Sequence, residues 1–350
     1  MNKELLKKEW ASLKIDQQPN WPNSFEYDSI IQTLSYYPKI VNEDEIILLK
    51  EELKLINQKQ SFVIQGGDCA ETFSNFNSSS IKNKLEILLQ MSAIIQYTSK
   101  IPVNIIGRIA GQYIKPRSSQ YESRDGLKLP SYRGDGVNSI EFTKDARTPN
   151  PQRLLTAYHQ SSSAMNLIRS LIMQGYTNIN NIKSWEKIFL NNDLLEKKYN
   201  KIFKQIRDTL QFVKASDILQ SPGKNIYISH ESILLDYDNA FIIENENKQH
   251  FCCSGHMLWI GDRTRKLDSA HIKFASLVEN PIGIKIGPNF NIEDLNLLCE
   301  KINPKNEIGK LTLIVRLGEK NIESMLPELI KKIKYHGQNV TWFCDPMHGN

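Results

Sequence analysis

Seven short apolar runs, each closed by glycine or a polar residue, recur down the chain: Phe62–Gln65, Val103–Gly107, Ile226–Ser229, Met257–Ile260, Ile282–Ile286, Leu311–Val315 and Val340–Phe343. Helical patterns separate most of them, at Ile81–Tyr97, Pro151–Gln174, Asp268–Val278, Ile292–Ile302 and Ile322–Tyr335. Near-continuous apolar runs of this length suit strands buried on both faces. Their alternation with helices predicts a parallel sheet covered by helices. An open doubly wound sheet and a closed (β/α)8 barrel both meet that description.

The placement of polar residues favours the barrel. Asp68-Cys69, Arg108, His230-Glu231, Asp262-Arg263, Lys285, Arg316 and Asp345 end or follow the seven runs in turn. A barrel gathers functional groups from nearly every strand end on one face. The expected fold is therefore α/β, a (β/α)8 TIM barrel with its last strand not found in this chain. Residues 1–60 form an N-terminal arm and helix, the helix spanning Glu43–Asn57, and residues 61–350 form the barrel domain. The stretch from about 109 to 224 is an insertion after strand 2, longer than an ordinary βα connection.

Composition excludes several function classes. Forty-four basic and 39 acidic side chains give a net charge of only +5 over 350 residues. No basic stripe with interleaved aromatics is present, so no nucleic-acid partner is expected. Met1–Trp10 lacks the apolar core of a secretory signal, and no run is long enough to span a bilayer. Five cysteines without CxxC spacing argue against a disulfide framework. A soluble cytoplasmic protein is expected, with no membrane partner.

Individual motifs admit bland readings. Gln65-Gly66-Gly67-Asp68-Cys69 leaves a cysteine at a strand mouth, where a thiol is as readily a small buried hydrophobe as a ligand. Lys115, Arg117 and Ser118 suit a phosphorylated anion or form a solvated loop. Tyr132-Arg133-Gly134-Asp135 reads as a turn with an internal ion pair. His230-Glu231 is either a proton-transfer pair or a satisfied pair beneath the site. Lys285 is more telling, because an ammonium flanked by isoleucines needs an anionic partner. Arg108, Arg263 and Arg316 repeat that logic on other strands, and the recurrence predicts a pocket for phosphorylated, carboxylated small molecules. His348 could join Cys69 on a borderline divalent ion. No GxGxxG opens a helix after a strand, which disfavours a dinucleotide-binding oxidoreductase.

In order, QGGDCAE, GRIAGQYIKPRS, YRGDGVN, the Arg153–Arg169 helix, WIGDRTR, NPIGIKIGP, GKLTLIVRLG and CDPMHGN resemble the successive signatures of class II (plant-type) 3-deoxy-D-arabino-heptulosonate 7-phosphate (DAHP) synthases. The opening DQQPNWP is similar as well. The resemblance runs from about Trp10 to Asn350. It implies a metal-dependent transferase joining phosphoenolpyruvate and erythrose 4-phosphate, the first step of the shikimate pathway towards chorismate and aromatic amino acids. It also implies Cys69 and His348 as ligands of a divalent metal, Mn2+ foremost, with Co2+ or another ion as alternatives. Arg108, Asp262, Arg263, Lys285 and Arg316 would hold phosphoenolpyruvate, and Lys115, Arg117 and Ser118 erythrose 4-phosphate, with Lys115 and Lys285 nearest the reacting atoms. Asp262 stands where the family usually has Glu. The family pattern continues past His348 with an eighth strand and two carboxylate ligands, so the resemblance implies a chain truncated before them. A non-catalytic phosphate-binding remnant is the competing expectation. A homo-oligomer is expected, as is usual for such enzymes.

Overall fold

The computed structural model describes residues 3–178, 197, 199–206, 208, 209 and 225–348. Seven parallel strands form one curled sheet, the greater part of a barrel wall: β1 (Phe62–Gly67), β2 (Val103–Arg108), β5 (Ile226–Glu231), β8 (Met257–Ile260), β9 (Ile282–Ile286), β10 (Leu311–Val315) and β11 (Thr341–Cys344). They lie in that order, each parallel to its neighbours, with β1 and β11 as the two edges. The expected strands are all present, the last displaced by one residue. Much of the latter part of the anticipated insertion, residues 179–224, lies outside the described residues.

Helices cover the outer face. α2 (Ser24–Tyr36), α4 (Ser78–Ser99) and α6 (Gln152–Met173) pack over β1, β2 and β5, sealing a core around Leu34, Leu85, Ile105, Ile168 and Ile228. Further helices, designated α1 (Lys3–Trp10), α8 (Ala270–Leu277), α9 (Ile292–Ile302) and α10 (Glu319–Tyr335), cover β8 to β11. Their ends follow ordinary capping chemistry. Asn77, Ser269 and Asn291 each accept a backbone N–H from the first turn of α4, α8 and α9, satisfying donors that a helix start leaves unpaired. Two hairpins, β3–β4 (Tyr121–Arg124 with Leu127–Pro130) and β6–β7 (Ile242–Glu244 with His250–Cys252), and the short helices α5 (Lys144–Arg147) and α7 (Leu235–Ala240) went unread in the sequence.

The barrel interior has its own small core. Ile106, Tyr227, Met257, Trp259, Ile314 and Phe343 point inward from five strands and meet Leu49 and Leu53 of α3 (Glu43–Asn57). This helix is thus a plug in the bottom of the barrel. Asn57 ties it to the Val340 carbonyl at 2.8 Å, and Tyr227 donates to Glu52 at 2.7 Å. Gly283 belongs to the same layer, since a Cβ there would come within 2.7 Å of Ile314 and 3.0 Å of Trp259.

Candidate active site at the strand ends

Strand geometry carries the interior layer upward to the site. Side chains alternate faces with period two. Two residues beyond Ile106 is Arg108; four beyond Tyr227 is Glu231. Two beyond Gly283 is Lys285, two beyond Ile314 is Arg316, and two beyond Phe343 is Asp345. Five charged groups therefore emerge over one apolar floor at the C-terminal end of the sheet.

Trp259 is the centre of that floor. The Arg108 guanidinium stands 4.8 Å from its ring centroid and the Lys285 ammonium 5.8 Å, both within cation–π range. Arg108 also donates to the Cys69 carbonyl at 2.9 Å. Lys285 pairs with Asp345 at 3.1 Å, and Asp345 in turn holds Nδ1 of His348 at 2.9 Å. Burial pushes the Asp345 carboxyl up, yet Lys285 and His348 outweigh it and leave it below its ordinary range. Arg263, from the loop after β8, donates to Ser118 Oγ at 2.7 Å.

Glu231 lies among these cations. Burial pushes its carboxyl up to about 7, while Lys285, Arg108 and Arg263 hold it down against that pressure. Its Oε1 is shielded from solvent and unpartnered, as are Nε of Arg108 and Nε of Arg316. Gly261 makes the space, because a Cβ there would collide with Glu231 Oε1. Buried polar atoms without partners are uncommon, and several in one pocket mark a place built for a polar ligand. Sequence reading noticed Glu231 only as half of a His–Glu pair. Adjacent strand residues face opposite ways, so the pair does not exist: His230 turns outward into a buried network with Asp238 (3.0 Å), which Ser232 and Ser254 also donate to. Trp259 was missed altogether, although its parity with Lys285 on neighbouring strands was available.

Other expected groups have partners within the protein. Asp262 pairs with Arg265 at 2.9 Å. The Lys115 ammonium rests over Tyr132, 5.4 Å from the ring centroid. Arg117 is bound to Glu122 at 2.6 Å. The internal Arg133–Asp135 pair does not form. Arg133 donates to the Gln17 carbonyl at 3.0 Å, whereas Asp135 accepts from Tyr132 at 2.7 Å and from the Phe73 N–H at 2.7 Å, with Arg153 3.6 Å away. Gly134, between them, takes a positive φ that favours glycine. Below the loop, Glu71 accepts the N–H groups of Ala110, Gly111 and Gln112 at 3.0, 2.8 and 2.8 Å. It fixes the chain leaving β2, although burial raises its carboxyl.

The cysteine and histidine proposed as metal ligands follow the two edge strands, Cys69 after β1 and His348 after β11, and the Cys69 side chain is exposed. Asp345 occupies Nδ1 of His348, which leaves Nε2 as the atom available to a ligand. A carboxylate behind an imidazole is the usual support of a metal-bound histidine. Among the described residues no group of three or more His, Cys, Asp or Glu side chains converges as a complete metal site. No described helix is long and apolar enough to cross a membrane.

Comparison with known proteins extends over nearly the whole chain. The profile described as the class-II DAHP synthetase family matches residues 5–350. A phospho-2-dehydro-3-deoxyheptonate aldolase of Streptomyces coelicolor is 42% identical over 344 residues, covering 97% of this chain and 76% of the relative. A protein of the same name from Neurospora crassa is 37% identical over 361 residues, covering 97% and 75%.

Proposed function

Because this chain belongs to the class-II DAHP synthetase family, we propose that it condenses phosphoenolpyruvate with D-erythrose 4-phosphate and water, giving DAHP and phosphate. The observation that supports the reading most is the meeting of Arg108, Glu231 and Lys285 around Trp259, with polar atoms left unpaired.

Arg108, Lys285 and Arg316 would take the phosphate and carboxylate of phosphoenolpyruvate, and Arg263, which donates to Ser118, would link that pocket to the aldose loop. Fork-shaped guanidinium groups match both anions. Asp262, held by Arg265, would order the Arg263 turn beside the phosphoenolpyruvate pocket. Lys115, Arg117 and Ser118 form the aldose-phosphate end, with Lys115 free to swing from Tyr132 towards the reacting carbonyl. Held in line, the enol π pair of phosphoenolpyruvate forms the new C–C bond from its methylene carbon to the aldehyde carbon, while the carbonyl π pair moves to the aldehyde oxygen, which takes a proton from the Lys115 ammonium. Water then adds to the cationic carbon left behind. Glu231 accepts the proton that water loses, a task suited to a carboxyl poised near neutrality. The resulting hemiketal phosphate collapses and phosphate departs.

Cys69 and His348 would hold the divalent ion; a thiolate and an imidazole by themselves suit a borderline ion such as Co2+, whereas Mn2+ calls for oxygen ligands beside them. When bound, that ion supplies Lewis-acid polarisation of the aldehyde oxygen. The product places the enzyme at the entry to chorismate and aromatic amino-acid biosynthesis. Barrel and arm act together here, residues 61–350 supplying the site and its floor and residues 1–60 the plug packed beneath that floor, in a soluble cytoplasmic homo-oligomer.

The test is direct. The chain, supplied with phosphoenolpyruvate, erythrose 4-phosphate and Mn2+, should consume the enol ultraviolet absorbance and release one phosphate per heptulosonate formed. Phosphoenolpyruvate bound normally by a Lys285→Ala variant would remove Lys285 from the pocket and sink the assignment.

A further inference from the structure

The β3–β4 hairpin carries a carboxylate whose surroundings are out of keeping with a surface strand. Glu122, on β3, accepts from Arg117 Nη2 through Oε1 at 2.6 Å and from Arg147 Nη1 through Oε2 at 3.0 Å. Arg124 approaches the second oxygen at 3.7 Å. Arg147 is 1% exposed, and its other donors are spent on backbone carbonyls: Nε on Glu141 at 3.0 Å, Nη2 on Ile140 at 2.9 Å and Nη1 on Pro130 at 3.3 Å. Its guanidinium lies over Phe142, 5.2 Å from the ring centroid. Arg147 therefore cannot reach a ligand and serves to hold Glu122. The Arg117 main chain is tied separately, its N–H donating to Gln17 Oε1 at 2.9 Å, and the next residue, Ser118, touches Arg263.

Resting on the substrate assignment above, we infer that Glu122 is a positioning residue that aims Arg117 at the aldose phosphate, with buried Arg147 as its counter-charge. A bare carboxylate beside a phosphate pocket would repel the ligand. Two flanking arginines leave the trio with net charge +1, so Glu122 orients one guanidinium without cancelling its attraction. The Arg117 contact uses one terminal nitrogen and leaves Nε and Nη1 for the phosphate. Burial alone would raise the Glu122 carboxyl, yet Arg147 and Arg117 keep it lowered and ionised.

The experiment is a double-mutant cycle read by titration calorimetry with erythrose 4-phosphate, with phosphoenolpyruvate as the second probe. Glu122→Ala should weaken erythrose 4-phosphate about tenfold, the loss of one well-placed charge-assisted contact, and leave phosphoenolpyruvate within about twofold. Glu122→Gln keeps an acceptor oxygen for Arg117 and should recover most of the affinity even if the alanine variant folds poorly. In an Arg117→Met background, Glu122→Ala should add nothing. Additive losses, equal weakening of both ligands, or tighter erythrose 4-phosphate binding by Glu122→Ala would each overturn the inference alone. Unaltered erythrose 4-phosphate affinity in Arg117→Met would overturn the substrate assignment of Arg117 together with it.

Discussion

Two lysines on neighbouring strands separate the two ends of this barrel. Lys285, at the top of β9, faces Trp259 and shares Asp345 with a histidine, amid donors and an acceptor that have no partner. Lys310, just below β10, is buried, donating to the carbonyls of Val278 and of Asn280, the latter at 2.8 Å. Beside it, Lys50 is clasped by Glu279 at 3.3 Å and Glu307 at 2.5 Å. Cations at the bottom have partners within the protein, carbonyls for Lys310 and carboxylates for Lys50, and the latter tie down the plug. Charges at the top are matched incompletely, and the remaining valence belongs to a ligand. Completeness of pairing, rather than the presence of charge, separates function from architecture.

Mutating the two lysines should break or sharpen that contrast most strongly. Lys285→Ala is expected to cost phosphoenolpyruvate binding about 100-fold, the equivalent of two charge-assisted hydrogen bonds, with little change in thermal midpoint. Lys310→Met should do the reverse, leaving affinity alone while lowering stability by about 2 kcal/mol through two abandoned carbonyls. Calorimetry and melting on both proteins decide it, and parallel effects would dissolve the distinction.

Gly261→Ala should rank next. Its Cβ displaces Glu231, so turnover should fall at least about tenfold while the fold persists. Glu231 then gives a pH signature. Its carboxyl stands near 7 in the free protein, so kcat/KM should decline as pH falls through about 7 and the base becomes protonated. In Glu231→Gln that acid limb should vanish from a much lower plateau.

The pH dependence of stability isolates Lys310 from the site. Burial pulls the Lys310 ammonium down to about 7 from 10.5, against the partial support of Glu279. Between these values the unfolded chain holds a proton that the folded chain has released, so stability gains from this residue as pH rises across the window. Urea midpoints of the native chain at pH 7 and 9.5 should therefore diverge from those of Lys310→Met, with the native chain gaining at the higher pH. Equal shifts in both would detach Lys310 from the effect.

The strand ladder was open to reading because its apolar runs are too short for helices and are closed by glycine or polar residues, and Met257–Ile260, Ile282–Ile286 and Leu311–Val315 have the boundaries read from sequence. Lys285 was legible for the same reason, an ammonium between isoleucines. The hairpins were not, since Tyr121–Arg124 and Leu127–Pro130 are held by a cross-strand ladder and by Glu122 rather than by an apolar pattern. α1 is illegible because it is short and charged, and α2 because it follows the proline-punctuated Asp16–Pro22 stretch, which itself reads as extended. Partners of Arg117 and Arg133 were illegible for a different reason. Gln17 and Glu122 meet them only once the chain has folded back over about a hundred residues in one case and a hairpin in the other.

The plug helix also bears on how the chain reaches this state. α3 leaves the ribosome before any strand, yet Asn57 finds Val340 across 283 positions and Leu49 waits for Phe343. Its apolar stripe is fully covered only once β11 has been made. Such long-range closure makes folding slow and late, and the nascent chain should lean on chaperones through most of its synthesis.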